Sequence, residues 1–278
     1  MQTHTPPLKP VRLTHRGRVA LVVTGAVAAA AALAVPLLTP LGDDQSRTAS
    51  LVIPEGWRAG QVYGAVDKAL RLPPGATRKA LAKVHLKLPN DAQGNPEGYL
   101  FPATYPLRGE TTPESLLQYM VDTANKRFGG GTITAGAQRH AMNVYQAVTV
   151  ASIVQAEAAT RADMGKVARV IFNRLQRGMP LQMDSTVNYA MSRSTLDTTT
   201  ADTKIDSPYN SYRRMGLPPT PIANPGEEAM RAALNPTPGN WLYFVTVKPG
   251  DTRFAAGYEE HRRNVEEFNR LRAGRAQR

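Results

Sequence analysis

Apolar residues recur at helical spacing in the middle of the chain, and one acidic residue lies on the same line. Val150, Ile153 and Val154 follow one another at i, i+3 and i+4, and Glu157 is the next position on that stripe. The pattern predicts a buried helix over residues 135–158 that carries Glu157 near its end. Because burying a carboxylate is costly, we expect Glu157 to be paired, protonated or used in chemistry.

The rest of the pattern predicts helices joined by loops and a few short strands. Apolar residues at helical spacing predict further helices over residues 57–72, 77–86, 113–128, 163–177 and 258–272. We expect Leu271 on the buried face of the last of these. Strands are predicted at residues 51–53 and 242–247, the second turning into residues 252–255 as a hairpin. Residues 179–238 are rich in Pro, Gly, Asn and Ser and predict a long loop region. The fold class is therefore α+β, with helices gathered on a small, mostly antiparallel sheet.

An uncharged segment near the start predicts the compartment. Residues 19–38 contain only apolar and small residues, over the ~20 positions needed to cross a bilayer as a helix. Basic residues precede the segment and two aspartates follow it, so residues 1–18 are expected in the cytoplasm and the rest outside. A cleaved signal peptide is the alternative, because Ala-Leu-Ala at residues 32–34 resembles a cleavage site. The segment is longer than the ~7–15 apolar residues usual in a signal peptide, which favours a retained single-pass anchor in the plasma membrane.

Composition narrows the possible partners. The 278 residues are 42% apolar, contain no cysteine, and carry a formal net charge of +12. The basic balance suits nucleic acid, an anionic membrane surface or an anionic polymer of the cell envelope. No recognition-helix pattern or platform of arginines and aromatic rings is present, so nucleic acid is not expected as a partner. His261 has no histidine or cysteine at metal-ligand spacing, and we read it as structural.

Two further segments could bind substrate beside Glu157. Gln182 and Asp184 belong to a set of short polar side chains interspersed with apolar ones, which suits sugar hydroxyls and N-acetyl groups. Asn210 lies between Tyr209 and Tyr212 in a proline-stiffened loop of the kind that positions sugars. Both segments could equally be structural loops. Neither a nucleophilic serine motif nor a phosphate-binding glycine loop occurs in the chain.

Glu157 itself has two readings. It could be a structural residue at a helix end, reaching water or pairing with Arg161. Alternatively, burial could raise its pKa, so that it holds a proton near neutral pH and donates it as a general acid.

Taken together, these segments resemble the endolytic murein transglycosylase (YceG-like) family over residues 51–265. The matching motifs, each weak alone but specific in this order, are IPEG at residues 53–56, EGYLFPATY at 97–105, ASIVQAE at 151–157, NRL at 173–175, LQ at 181–182 with Asp184, SPYNSY at 207–212, GLPP at 216–219, NPG at 224–226, YFV at 243–245 and EH at 260–261.

The resemblance implies a lyase that cuts the β-1,4 bond between N-acetylmuramic acid and N-acetylglucosamine within nascent peptidoglycan strands, leaving 1,6-anhydro muramyl ends. It places the catalytic glutamate, as general acid and then base, at Glu157. Substrate binding is expected from Gln182, Asp184, Asn210, Tyr212, Asn173 and Tyr99. No metal or cofactor is expected, and the partners would be glycan strands and peptidoglycan synthases of the penicillin-binding class. A hydrolytic muramidase and a noncatalytic peptidoglycan-binding module are the alternatives.

The sequence departs from the family pattern at a few positions. The first acidic position of the catalytic motif is Gln155, which leaves Glu157 as its single carboxylate. Met183, Ser185 and Thr220 replace the family's usual Thr, Pro and Gly. The resulting division is a cytoplasmic tail at residues 1–18, a transmembrane helix at 19–41, a linker at 42–50, a reduced LysM-like subdomain at 51–90, a YceG-like catalytic domain at 91–272 and a basic tail at 273–278.

Overall fold

The computed structural model describes residues 49–193 and 198–276, which belong to one compact unit. The predicted cytoplasmic tail and transmembrane helix lie outside these residues. Among the helices that are described, none combines the length and apolar composition needed to cross a bilayer.

Helices dominate this unit. In chain order they are α1 (Ala59–Ala69), α2 (Ala76–Ala80), α3 (Pro113–Phe128), α4 (Gly131–Gln138), α5 (Val144–Glu157), α6 (Arg161–Gln176), α7 (Asp184–Ala190), α8 (Glu227–Leu234) and α9 (Tyr258–Ala276). Short 3₁₀ turns occur at Leu81–Lys83, Asn90–Ala92 and Asp202–Lys204.

The strands form two separate antiparallel pairs rather than the single small sheet expected from the sequence. β1 (Ala49–Val52) pairs with β2 (Thr104–Leu107), and β3 (Tyr243–Lys248) pairs with β4 (Asp251–Ala255) as the predicted hairpin. The sequence pattern predicts no strand at β2, which contains Pro106. Pro106 is tolerated because a two-stranded pair has only edge strands. The α+β class is confirmed.

The core is built around α5, which packs against α6 and α8. Its inward residues are fully buried, with Val148, Val150, Ile153 and Val154 at 0% exposure. Asn143 begins the helix with a capping box, in which its side chain accepts from the Gln146 amide and its own amide donates to the Gln146 side chain. The buried stripe predicted from the sequence is therefore present, and Glu157 is its last helical residue.

The single long helix predicted over residues 135–158 is wrong. The chain forms α4, leaves helical geometry at Ala141 with φ 56°, and begins again at the Asn143 cap. A helix-favouring apolar pattern continues across this break, so periodicity alone did not locate it. The capping signal of Asn143 followed three residues later by Gln146 would have done so.

Residues 179–238 contain more regular structure than predicted. Asp184 and Ser185, expected in a loop, lie in the first turn of α7, and α8 follows Gly226. Short helices of seven and eight residues give too few turns for a periodic signal, which explains the error.

Two predicted helical details also need correction. The helix expected over residues 77–86 ends at Ala80 and continues only as a 3₁₀ turn. Leu271, expected on a buried face, is 41% exposed, because it lies in the last turns of α9, where every residue from 269 to 274 is exposed.

Residues 51–90 belong to the same compact unit as the remainder, through pairing of β1 with β2 and packing of α1 against α3. Their designation as a reduced LysM-like subdomain stays a prediction. Asn224 ties this part to the site-bearing loops, since Gly56 donates to its carbonyl and its own amide donates to the carbonyl of Trp57.

Candidate active site

Glu157 lies at the C-terminal end of the most buried helix and is itself half-buried. Its Oε1 accepts a hydrogen bond of 3.0 Å from the backbone amide of Ser185, in the first turn of α7. Amides in a first helical turn have no partner within their own helix, so this one is available to a carboxyl group. No ion pair joins Glu157 to Arg161 in the described part of the chain, so the structural reading keeps only the contact of a half-buried carboxyl group with water.

Burial raises the pKa of Glu157, and the nearby carboxyl of Asp184 raises it further. The hydrogen bond from Ser185 acts in the opposite direction because it stabilises the carboxylate. The C-terminal end of a helix is its negative end, which also disfavours a second negative charge there. The environment therefore favours a protonated carboxyl group that can donate its proton.

Asp184 and Tyr212 form the second part of the site. The hydroxyl of Tyr212 donates to Asp184 Oδ1 at 2.5 Å. Burial raises the pKa of Asp184 and the bond from Tyr212 offsets part of that rise. The pKa of Tyr212 is raised by burial and by the adjacent carboxyl groups of Asp184 and Glu157, so its hydroxyl remains a donor. The structure thus brings Glu157, Asp184 and Tyr212 together.

Ser211 fixes the start of α7 against the loop that carries Tyr212. The Ser211 hydroxyl accepts from the Met183 amide at 2.9 Å and shares a hydrogen bond with the Thr186 hydroxyl at 2.8 Å. Asp184 follows Met183 in the chain and Tyr212 follows Ser211, so these bonds also hold Asp184 and Tyr212 close to each other.

Gln182 lies at the edge of this site. It is exposed, has φ 54°, and its Oε1 accepts from Arg174 Nη1 at 2.9 Å. The Gln182 amide donates to the Ser211 carbonyl at 3.0 Å. The exposed residue Gln182 is therefore held both through its side chain and through its backbone.

Asn210 and Asn173 each stabilise a loop by donating side-chain hydrogen bonds to backbone carbonyls. Asn210 is fully buried and donates to the carbonyls of Thr203 and Ile205, while its Oδ1 accepts from the Tyr212 amide at 3.0 Å. Asn173 donates to the Trp241 carbonyl at 2.8 Å, in the segment before β3. Each side chain is therefore engaged with backbone, and Asn210 acts on the site by positioning Tyr212.

Tyr99 is not brought to the Glu157 group. It is 1% exposed, and its ring packs between Phe128 and Tyr145, with centroid distances of 6.2 Å and 6.1 Å. Tyr145 begins α5 at the end opposite Glu157, about 18 Å away at the helical rise per residue.

Two buried charged residues were missed by the sequence analysis. Arg174 is 5% exposed and donates to the carbonyls of Leu242, Pro180 and Leu181, which fixes the loop before Gln182. Its position on the buried stripe of α6, next to Val170 and Ile171, was the available signal. Glu97 is 4% exposed and belongs to the same motif as Tyr99. Within that motif, Tyr99 rather than Glu97 was predicted to bind substrate.

Within the described residues, no three His, Cys, Asp or Glu side chains are grouped as metal ligands. His261 stacks on Tyr243, with ring centroids 5.0 Å apart, and burial lowers its pKa. This geometry agrees with a structural histidine, and the absence of a metal requirement stays a prediction.

The chain is similar in sequence to curated proteins from two bacteria. It is 38% identical over 173 residues to the endolytic murein transglycosylase of Bacillus subtilis strain 168, a match covering 62% of this chain and 48% of that protein. It is 38% identical over 177 residues to the protein of the same name in Streptococcus pneumoniae serotype 2 strain D39, covering 62% of this chain and 32% of that one. The chain thus spans less than half the length of these curated relatives.

A solved structure and a family pattern agree with this result. The crystal structure of a yceG-like protein from Listeria monocytogenes superimposes with a TM-score of 0.68 at 33% sequence identity, covering 77% of this chain and 75% of that one. The sequence pattern of the YceG-like family matches residues 28–267. Since this match extends over most of the chain, the protein belongs to the YceG-like family.

Proposed function

We propose that the protein is an endolytic peptidoglycan transglycosylase that uses Glu157 as both general acid and general base. The observation that carries the proposal is the position of Glu157, at the end of a buried helix, with a raised pKa and a hydrogen bond from the Ser185 amide. The names of the curated relatives support the same reaction class.

In the first step the protonated Glu157 donates its proton to the glycosidic oxygen, and the bond from that oxygen to C1 of the muramyl sugar breaks. The N-acetylglucosamine unit leaves with a free hydroxyl, and positive charge develops at C1. In the second step the Glu157 carboxylate removes the proton of the C6 hydroxyl on the same muramyl sugar, whose oxygen bonds to C1. Glu157 ends protonated, no water is consumed, and the product is a 1,6-anhydro end.

The neighbouring residues take the following roles. Asp184 raises the pKa of Glu157 and, with Tyr212, lies where the sugar would enter. Gln182 presents an exposed side chain to the substrate. Asn210 and Asn173 act through the loops that they brace. Tyr99 lies in the core, so any contribution it makes to substrate binding is indirect.

A hydrolytic muramidase is the second candidate, because Asp184 places another carboxyl group beside Glu157. Paired carboxyl groups are the usual arrangement of enzymes that hydrolyse glycosidic bonds. Here the hydroxyl of Tyr212 occupies one oxygen of Asp184, which favours a positioning role over activation of water. A noncatalytic binding module is less well supported, since it would not need a protonated buried carboxyl group.

The proposal extends to location and partners. Residues 19–41 would form a single transmembrane helix with the N-terminus in the cytoplasm and the compact unit outside, where nascent glycan strands are made. The net charge of +12 suits the anionic envelope. Peptidoglycan synthases of the penicillin-binding class are the proposed protein partners.

Mass spectrometry of products from purified, uncrosslinked glycan strands tests the proposed reaction. The full-length protein in detergent should yield shorter strands with 1,6-anhydro muramyl ends. Products with reducing ends would contradict the proposal and indicate a hydrolase. Strands that bind the protein but stay intact would indicate a noncatalytic binding module.

A further inference from the structure

Glu97 is a second buried carboxyl group, outside the group formed by Glu157, Asp184 and Tyr212. Its Oε1 accepts from the amide of Ala59 at 2.9 Å, and its Oε2 accepts from the hydroxyl of Tyr189 at 3.2 Å. Ala59 is the first residue of α1, and Tyr189 lies in the last turn of α7. Glu97 therefore links the start of one helix to the end of another.

Arg58 reinforces this link. Its Nη1 donates to the Asn188 carbonyl at 3.3 Å, and its guanidinium lies 5.1 Å from the centre of the Tyr189 ring. A cation near the C-terminal carbonyls of a helix is electrostatically favourable. Both side chains thus hold the C-terminal half of α7.

The Glu97 cluster is desolvated and tightly connected. Burial raises the pKa of Glu97 to about 7, while the bonds from Ala59 and Tyr189 and the charge of Arg58 act in the opposite direction. Burial, and then the charge of Glu97, raise the pKa of Tyr63 in α1. Neutral or ionised, Glu97 keeps an acceptor for the Tyr189 hydroxyl, so the link persists across this titration.

The other end of α7 carries the amide that contacts Glu157. The helix has only seven residues, about 10 Å in length, so two turns of continuous backbone hydrogen bonds connect a displacement at one end to the other end. A shift of its C-terminal half therefore displaces the Ser185 amide relative to Glu157 Oε1.

We infer that Glu97, acting through Tyr189, is a positioning residue that holds α7 so that the Ser185 amide faces the Glu157 carboxyl. The inference rests on the proposed role of Glu157 as the acid. Glu97 touches no reacting atom. Weakening the Ser185 bond removes a stabilisation of the Glu157 carboxylate, and so raises the pKa of Glu157.

The test uses Tyr189→Phe in the full chain, since this change removes one hydroxyl and keeps the ring. Tyr105→Phe is the matched control, because Tyr105 is buried in β2 and its hydroxyl donates to the Phe101 carbonyl at 2.6 Å. Two readouts need no turnover. Hydrogen–deuterium exchange reports the peptide that contains Ser185. The pH dependence of carbodiimide labelling at Glu157 reports its protonation, since the carboxyl group adds to the reagent together with its proton.

Tyr189→Phe should speed exchange at Ser185 and move half-labelling of Glu157 to higher pH, while Tyr105→Phe changes neither. Glu97→Ala should change both in the same direction and further. With glycan strands, kcat of Tyr189→Phe should fall roughly tenfold to a hundredfold with little change in KM. Unchanged exchange and labelling in Tyr189→Phe would overturn the inference. A wild-type protein that cuts no glycan would reject the proposed function instead, while leaving these two readouts to decide the positioning role.

Discussion

At the scale of single residues, the acidity of Glu157 depends on its surroundings rather than on its own chemistry. Burial and the carboxyl of Asp184 raise its pKa, and the Ser185 amide opposes them. The same carboxyl group can then serve twice, because it lies within reach of the leaving oxygen first and of the C6 hydroxyl afterwards.

The pH dependence of turnover follows from this balance. The first step needs protonated Glu157, so the rate should fall as pH rises through a pKa above the usual 4.5. Asp184→Asn removes the charge that contributes to the rise, and should move this decline to lower pH. Rates of anhydro-end formation across pH measure both curves. A decline centred at the usual glutamate value in the wild type, or unmoved in the variant, would contradict the account.

Tyr212→Phe tests the contact with Asp184. Loss of the donated hydrogen bond should raise the pKa of Asp184 and reduce kcat roughly tenfold, as expected for a misplaced active-site group. Tyr209→Phe is the control, since its hydroxyl bonds Thr220 rather than a carboxyl group. Steady-state measurements of both variants compare the two hydroxyls. An equal loss of kcat in both would show that the hydrogen bond to Asp184 does not contribute specifically to turnover.

The half-buried acidic residues Glu157 and Asp184 can be recognised in the sequence, whereas the fully buried Glu97 and Arg174 cannot. Glu157 was recognisable because a carboxylate on an apolar stripe is unusual. Glu97 was not, since its motif has no periodicity and its partners Ala59, Tyr189 and Asn224 are 38, 92 and 127 residues away. The roles of Asn210 and Asn173 also depend on distant backbone carbonyls that no local pattern specifies.

At the scale of elements, caps decide where the site helices begin. Asn143 separates α4 from α5, and Thr160 opens α6 by accepting from the Asp163 amide. Apolar periodicity predicted the presence of these helices, but the bounds depend on such side-chain bonds. The short α7 was missed altogether, because its position is fixed by Ser211 and Glu97 from other parts of the chain.

Asn143→Ala should destabilise the protein by about 1 kcal/mol, the usual cost of losing a helix cap. Asn143→Ser keeps a capping oxygen but loses the amide bond to Asp91, so it should retain most of the stability. Urea unfolding of both variants measures the difference. If the two substitutions cost the same, the cap is not what begins α5.

At the scale of the whole molecule, residues 51–90 are joined to the loop that contains Asn224 through buried polar groups. Asn224 is fully buried, accepts from the Leu100 amide at 2.8 Å and donates to the Trp57 carbonyl. A side chain at Gly98 would clash with Pro221, at 2.6 Å from a Cβ placed there. Three of the motifs that resemble the family, IPEG, EGYLFPATY and NPG, are far apart in sequence and meet around these contacts.

Glu97 should make global stability depend on pH. Its pKa is about 7 in the folded protein against a usual 4.5, so its stabilisation is complete below the lower value and is lost as pH rises toward the higher one. Between pH 5 and pH 8 the wild type should lose about 2–3 kcal/mol of stability from this group, a loss that Glu97→Gln lacks. Urea unfolding of both proteins at the two pH values gives the comparison, and identical differences would contradict a desolvated Glu97.

The central claim is that one carboxyl group performs the cleavage. The most direct measurement is mass spectrometry of glycan strands incubated with the wild type or with Glu157→Gln, after circular dichroism has established that both have the same fold. We predict anhydro-ended fragments from the wild type and intact strands from the variant, with a rate at least about a hundredfold lower. Near-wild-type cleavage by a folded Glu157→Gln protein would contradict the account.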